Sequence, residues 1–218
     1  MSYFSKLQDR IKKIPIHIWI LLVIVLVGIF LRTYNFHDWL TFEGDQARDA
    51  TLIRSIVDEK KDWPLLGPTM RKSEDSLGQL FHLGPIYYYF QIVSAKVFGD
   101  SPDKLAYPDV FFAILSIPLF YVFLKKYFSI NFSLALTGLY AVSFYIIQYS
   151  RFAWNPNPIP FFVILFLLSA YEILLAKNNK NLKWFVLYGI AVGIGIQLHV
   201  VLLAIFMLFS LFLIWSFK

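Results

Sequence analysis

The run from Leu182 to Phe217 is apolar almost throughout, and as one straight helix it would be about 54 Å long, far more than the roughly 30 Å of a bilayer's hydrocarbon. A chain with such a segment folds around membrane-spanning helices, and the run itself must break once. Gln197-Leu198-His199 is the only polar interruption near its middle, so the break is expected there. Four other apolar segments carry the same signal: Ile16 to Leu31, Ala106 to Leu124, Phe132 to Tyr149 and Ile159 to Ala176. Together they predict an all-α polytopic bundle of about six spans. Composition agrees, with 58% hydrophobic residues, 19% aromatic residues and a mean hydropathy of +0.61 over 218 residues, beyond the range of a soluble domain.

The first span, 14–31, follows Lys6, Arg10, Lys12 and Lys13 and lacks a small-residue cleavage site, so it reads as a retained anchor. Lys125-Lys126, the Lys177, Lys180 and Lys183 cluster and Lys218 fall on the same side as the basic N-terminus, whereas the opposite short loops carry only Arg151 and His199. The positive-inside rule puts the lysine side in the cytoplasm. Trp19, Trp184 and Trp215 then mark the inner interface, and Trp39, Trp63 and Trp154 the outer. The net charge of +6 is explained by cytoplasmic cations facing anionic lipid, and no nucleic-acid partner is implied. There are no cysteines, which excludes disulfide and thiol chemistry.

Residues 32–105 form a long polar stretch between the first and second spans, and by this topology it is extracytoplasmic. Two surface helices are expected in it. The first runs from Gln46 to about Lys60, with Leu52, Ile53, Ile56 and Val57 as an apolar stripe opposite Arg54, Asp58 and Glu59, the pattern of a helix lying flat on a bilayer. The second begins at Gly84-Pro85 and continues through Tyr87-Tyr88-Tyr89 as an interfacial helix, too short to cross. Trp63-Pro64 through Gly78 reads as irregular loop. Gly189 and Gly193 are expected at a close helix contact.

The stretch Glu43-Gly44-Asp45-Gln46-Ala47-Arg48-Asp49-Ala50 holds the most chemistry. Asp45 and Arg48 are three apart, on one helix face, so a possible base and a possible phosphate ligand lie side by side at a membrane surface. Asp45 also stands where a helix N-cap would be, and the two roles can coexist. Glu43, Asp45 and Asp49 are hard oxygen ligands of the kind that suit magnesium or manganese.

This motif, followed by Gly84-Pro85-Ile86-Tyr87-Tyr88 and then by Tyr149-Ser150-Arg151-Phe152-Ala153-Trp154-Asn155-Pro156, resembles the RgtA/B/C/D-like group of GT-C membrane glycosyltransferases, which is related to the protein O-mannosyltransferases and the aminoarabinose transferases. The resemblance implies inverting transfer of a sugar from a polyprenyl-phosphate donor to a hydroxyl of a glycan, lipid or protein acceptor at the outer face of the plasma membrane. It implies Asp45 as the catalytic base and Arg48 as a ligand of the donor phosphate; Arg151, a guanidinium at the outer mouth of two spans that can make bidentate contacts to phosphate oxygens, is a second candidate ligand and His82 a further one. Glu43, Gln46, Asp49, Tyr87, Asn155 and His199 are further substrate-site candidates. No cofactor is implied, and a divalent metal is not expected, since some GT-C enzymes depend on one but the closer matches mostly do not. Some relatives carry a lysine where this chain has Gly84, which shifts phosphate neutralisation toward arginine. Relatives are also about twice as long, so 1–218 is expected to be a single membrane domain forming the N-terminal half of a GT-C module.

Two other classes stand beside this reading. A noncatalytic scaffold, or half of a split enzyme, fits the length. A transporter component would place ionisable groups near mid-span, whereas Asp109 and Glu172 lie near segment ends.

Overall fold

The computed structural model describes residues 14–69, 81–175 and 181–216. Among these residues the chain is helical with no strand; Thr69 and His82 form an isolated antiparallel bridge. The helices are α1 (Ile16–Thr33), α2 (Gly44–Val57), α3 (Ile86–Phe98), α4 (Pro102–Leu105), α5 (Tyr107–Leu124), α6 (Ile130–Val142), α7 (Phe144–Gln148), α8 (Ile159–Leu175), α9 (Leu182–Leu198) and α10 (Val200–Ser216). The N-terminal cations, the end of the loop through Gly78, Lys177, Lys180 and Lys218 lie outside the described residues.

Two helices, α1 and α5, are long and apolar enough to cross a membrane; α6, α8, α9 and most of α10 are shorter apolar helices. Their packing order follows the chain. Helices α1, α5 and α6 contact one another, α5 leads to α8, α8 to α9, and α9 to α10. The Leu182–Phe217 run breaks at His199, which is extended and separates α9 from α10. The hairpin so formed closes where Gly195 meets the Phe206 ring, within a cluster of Leu165, Phe166, Ala191, Leu202 and Phe206. At the lysine end, Lys126 pairs with Glu172 and joins the end of α5 to that of α8.

Several expectations need correction. Gly189 and Gly193 face open space, and the close approaches fall at Gly195 and Gly28 instead. The Phe132–Tyr149 segment is two helices, because Ser143 is extended; neither proline nor glycine marks the break. Arg32 belongs to the last turn of α1 rather than to the loop. It is fully buried and donates from Nη1 to the carbonyls of Gly28 at 3.1 Å and Ala141 at 2.8 Å, which joins α1 to the end of α6.

The apolar stripe of α2 does not face outward. Ile53 and Ile56 are buried with Tyr88, Ile92, Ala95, Leu105, Ala106 and Ala153, and Leu52 and Val57 pack against that cluster. An amphipathic period specifies which face seeks cover, not what covers it, and here α3 and α4 do so. The tyrosine run is likewise internal. Tyr87 and Tyr88 are buried, and Tyr89 donates to the Pro64 carbonyl at 2.9 Å. The three helices α2, α3 and α4 thus form one packed unit whose α3 also touches α5 and α9.

Candidate functional site

The first turn of α2 is built around a reciprocal cap. Glu43 is the N-cap: its carboxylate accepts the backbone N–H of Gln46, and its own N–H donates to the Gln46 side-chain carbonyl at 2.9 Å. This is the capping-box arrangement, and it removes the capping role expected of Asp45. Asp45 instead stands two positions further on, in the first turn, with its side chain 62% exposed. The Gln46 amide also donates to the carbonyl of Ala153 at 3.1 Å, tying the start of α2 to the loop between α7 and α8.

Arg48 bridges two carboxylates. Nη1 donates to Asp45 at 2.9 Å and Nε donates to Asp49 Oδ1 at 2.8 Å. The same Asp49 oxygen accepts the Tyr88 hydroxyl at 3.1 Å. Asp49 and Tyr88 are buried, so the inner side of the guanidinium is fixed and its outer side faces Asp45. Burial raises the Asp49 carboxyl above the ordinary carboxylate range, against the opposing pull of Arg48 and Tyr88. Burial, reinforced by Asp49, also raises the Tyr88 hydroxyl, which stays a donor.

Opposite Asp45, the α7–α8 loop presents a cluster of rings. Phe152 stacks near Trp154 with centroids 6.1 Å apart, and Tyr149 lies 5.6 Å from Phe152 and 6.0 Å from Trp154. Between these rings and the start of α2 is a cleft of about 500 Å³, lined on the polar side by Thr41, Glu43, Asp45, Gln46 and Gln148. A second, mainly apolar cavity of about 310 Å³ shares Tyr149 and Trp154 with it and continues between Ala113, Tyr140, Ile146, Ile159 and Phe161. An exposed carboxylate held by Arg48 therefore lies in a cleft that shares the Tyr149 and Trp154 wall with an apolar cavity.

The other sequence candidates lie elsewhere. Arg151 directs Nη1 to the carbonyls of Leu31 and Arg32, both at 3.2 Å, and Nη2 to those of Tyr34 at 2.9 Å and Asn35 at 3.0 Å. It is buried and acts as the cap of α1, whose last carbonyls have no partner within the helix. The expected phosphate contact is not available to a fork so engaged. His82 donates from Nδ1 to the Gly67 carbonyl at 2.9 Å, which holds the returning end of the loop, and this ring is not part of the cleft lining. Tyr87 is fully buried and donates to Asp109 at 2.9 Å. Asn155 is buried, and His199 caps α9. The cleft thus gathers Glu43, Asp45 and Gln46, with Arg48 donating to Asp45 on one side and to Asp49 on the other.

Gly84 has a steric explanation. A Cβ there would collide with Cγ of Gln197 and lie 2.7 Å from its Cβ, so a side chain in the last turn of α9 fills the space that a larger residue would need. The sequence did not point to Tyr149, Phe152 or Trp154 as cleft walls, although all three stand within the Tyr149–Pro156 motif. Their facing Asp45 is a tertiary fact, carried by the Gln46–Ala153 bond.

A family model described as dolichyl-phosphate-mannose-protein mannosyltransferase matches residues 82–218. The matched part includes the aromatic loop and α8 to α10; the acidic turn of α2 precedes it. No curated protein and no solved structure matches the chain.

Proposed function

Since this chain belongs to the dolichyl-phosphate-mannose-protein mannosyltransferase family, whose members are membrane-integral GT-C glycosyltransferases, we propose that it takes part in transferring a sugar from a polyprenyl-phosphate donor to a hydroxyl of a glycan, lipid or protein acceptor, with inversion. The reaction is proposed for the outer face of the plasma membrane, in a six-span topology with the N-terminus cytoplasmic. The observation that carries this reading is the Asp45 carboxylate, relieved of capping by Glu43, exposed in a cleft and held by Arg48.

In the proposed step, Asp45 accepts the proton of the acceptor hydroxyl as that oxygen bonds to the anomeric carbon. The bond from the anomeric carbon to the phosphate oxygen breaks, and its electron pair leaves on the lipid phosphate. Arg48 offers that phosphate the outer side of its guanidinium, where Nη1 now meets Asp45. A bound phosphate thus draws Nη1 from Asp45 and leaves the carboxylate a stronger base. Charge-assisted bonds of this kind favour the developing charge most when the donor is already oriented, and Asp49 with Tyr88 provides the orientation. The apolar cavity beyond Tyr149 and Trp154 suits the first isoprene units of the lipid.

Asparagine has the shape of aspartate without its basicity. Asp45→Asn is expected to lower transfer by roughly 100-fold or more while leaving the thermal midpoint and donor binding near wild type. The assay is sugar release and transfer in membranes containing the chain, with a panel of polyprenyl-phosphate sugars. A fully active Asp45→Asn variant would remove Asp45 from the mechanism.

A further inference from the structure

We infer that Phe152, with Tyr149 and Trp154 beside it, forms the platform on which the sugar ring of the donor lies; this rests on the glycosyl-transfer reading above and names the subsite for the transferred group. The cleft has two unlike sides. One is a continuous aromatic surface, the three rings being within 6.1 Å of one another. The other carries Thr41, Glu43, Asp45, Gln46 and Gln148. A pyranose has the matching division, with C–H groups over its faces and hydroxyls around its edge. Sites that bind such ligands combine aromatic walls with a few convergent polar groups.

The loop that bears the rings is fixed before any ligand arrives. Arg151 clasps the end of α1, the Ala153 carbonyl accepts from Gln46, and the Phe152 carbonyl accepts from the Asn157 amide at 2.7 Å. The Trp154 backbone lies against the buried Asp109 carboxylate. A rim held from four sides orders few groups on binding, which preserves affinity.

Two plainer accounts cover the rings less well. An interfacial belt uses tyrosine and tryptophan because each has a polar tip for the headgroup region, and Phe152 has none. The lipid chain would use the apolar cavity, which includes Tyr149 and Trp154 but not Phe152. Phe152 therefore separates the sugar from the tail.

The test is equilibrium binding to the full chain in lipid nanodiscs, using tritiated polyprenyl phosphate and the same lipid phosphate carrying mannose, glucose or arabinose. Phe152→Ala is expected to weaken the preferred sugar-bearing donor about tenfold and to leave the sugar-free lipid unchanged. Phe152→Leu, which keeps apolar volume in the loop, repeats the loss if alanine impairs folding. Ile146→Ala, which lines only the apolar cavity, is expected to weaken every probe alike. The inference is overturned if the Phe152 variants weaken both classes of probe equally or neither, or if they raise only the acceptor KM. A wild-type chain that binds no polyprenyl phosphate, with or without sugar, defeats the glycosyl-transfer reading and this subsite together.

Discussion

Replacing Asp49 by alanine, alone and with Tyr88→Phe, tests whether the Arg48 guanidinium is held from behind by a buried pair. Tyr88 is 4% exposed, and its hydroxyl has Asp49 as acceptor. Asp49→Ala leaves the proton of that hydroxyl buried without its acceptor, which costs about 1–3 kcal/mol. Arg48, with its side chain 44% exposed, rehydrates, so its loss adds at most about 1 kcal/mol. The single variant is therefore about 2 kcal/mol less stable. Tyr88→Phe in the wild type loses one bond to a charged acceptor, about 1.5 kcal/mol. In the Asp49→Ala background the same change removes the orphaned hydroxyl and restores about 1–2 kcal/mol. One substitution thus has opposite signs in the two backgrounds, with a coupling of about 3 kcal/mol. The measurement is a four-variant unfolding cycle in mixed micelles, followed by tryptophan emission. Equal costs for Tyr88→Phe in both backgrounds, within about 0.5 kcal/mol, would refute the reasoning.

The raised Asp49 carboxyl means that the folded chain holds this proton more tightly than the unfolded chain does. Stability is then expected to fall as pH rises from the ordinary carboxylate value, roughly pH 4, to the raised folded value, and to level off above it. Asp49→Asn should remove that slope from the thermal midpoint measured against pH. Arg151→Lys keeps the charge but not the fork that reaches four carbonyls. It should cost about 2–3 kcal/mol and lower activity only in proportion to the folded fraction, as read by size-exclusion recovery beside donor KM. Gly84→Ala should destabilise by about 1–3 kcal/mol through overpacking against Gln197. Adding Gln197→Ala should recover part of that loss in the melting midpoint, and no recovery would place the strain elsewhere.

What the sequence conveyed depended on how local each cause was. The break at His199 was legible because bilayer thickness limits helix length and one polar triplet offers relief. The starts of α2 and α3 followed from capping residues and Gly84-Pro85. The identity of the α2 cap was not legible: Asp45 was the expected cap, and the reciprocal bond of the Gln46 side chain to the Glu43 N–H makes Glu43 the cap instead. Arg151 at a span mouth has the same sequence signature whether it binds phosphate or carbonyls, and its partners are more than a hundred positions away. Separation along the chain, 22 and 39 positions to their acceptors, also hides Tyr87 and Tyr88. A run of tyrosines near a membrane resembles a belt until Asp49 and Asp109 are seen to accept their hydroxyls.

The clasp of Arg151 on residues 31 to 35 also sets an order of assembly. Its bonds close loops of 116 to 120 positions, so during synthesis α1 and α2 must wait while α3 to α7 are made and inserted. Only then does the ribosome deliver the guanidinium that seals the end of the anchor, and only after it the phenylalanine that faces the acid. The cleft is in this sense a late product of biogenesis. A nascent chain halted before residue 151 would display its anchor and its acidic turn at the membrane without the rim that makes them a cleft.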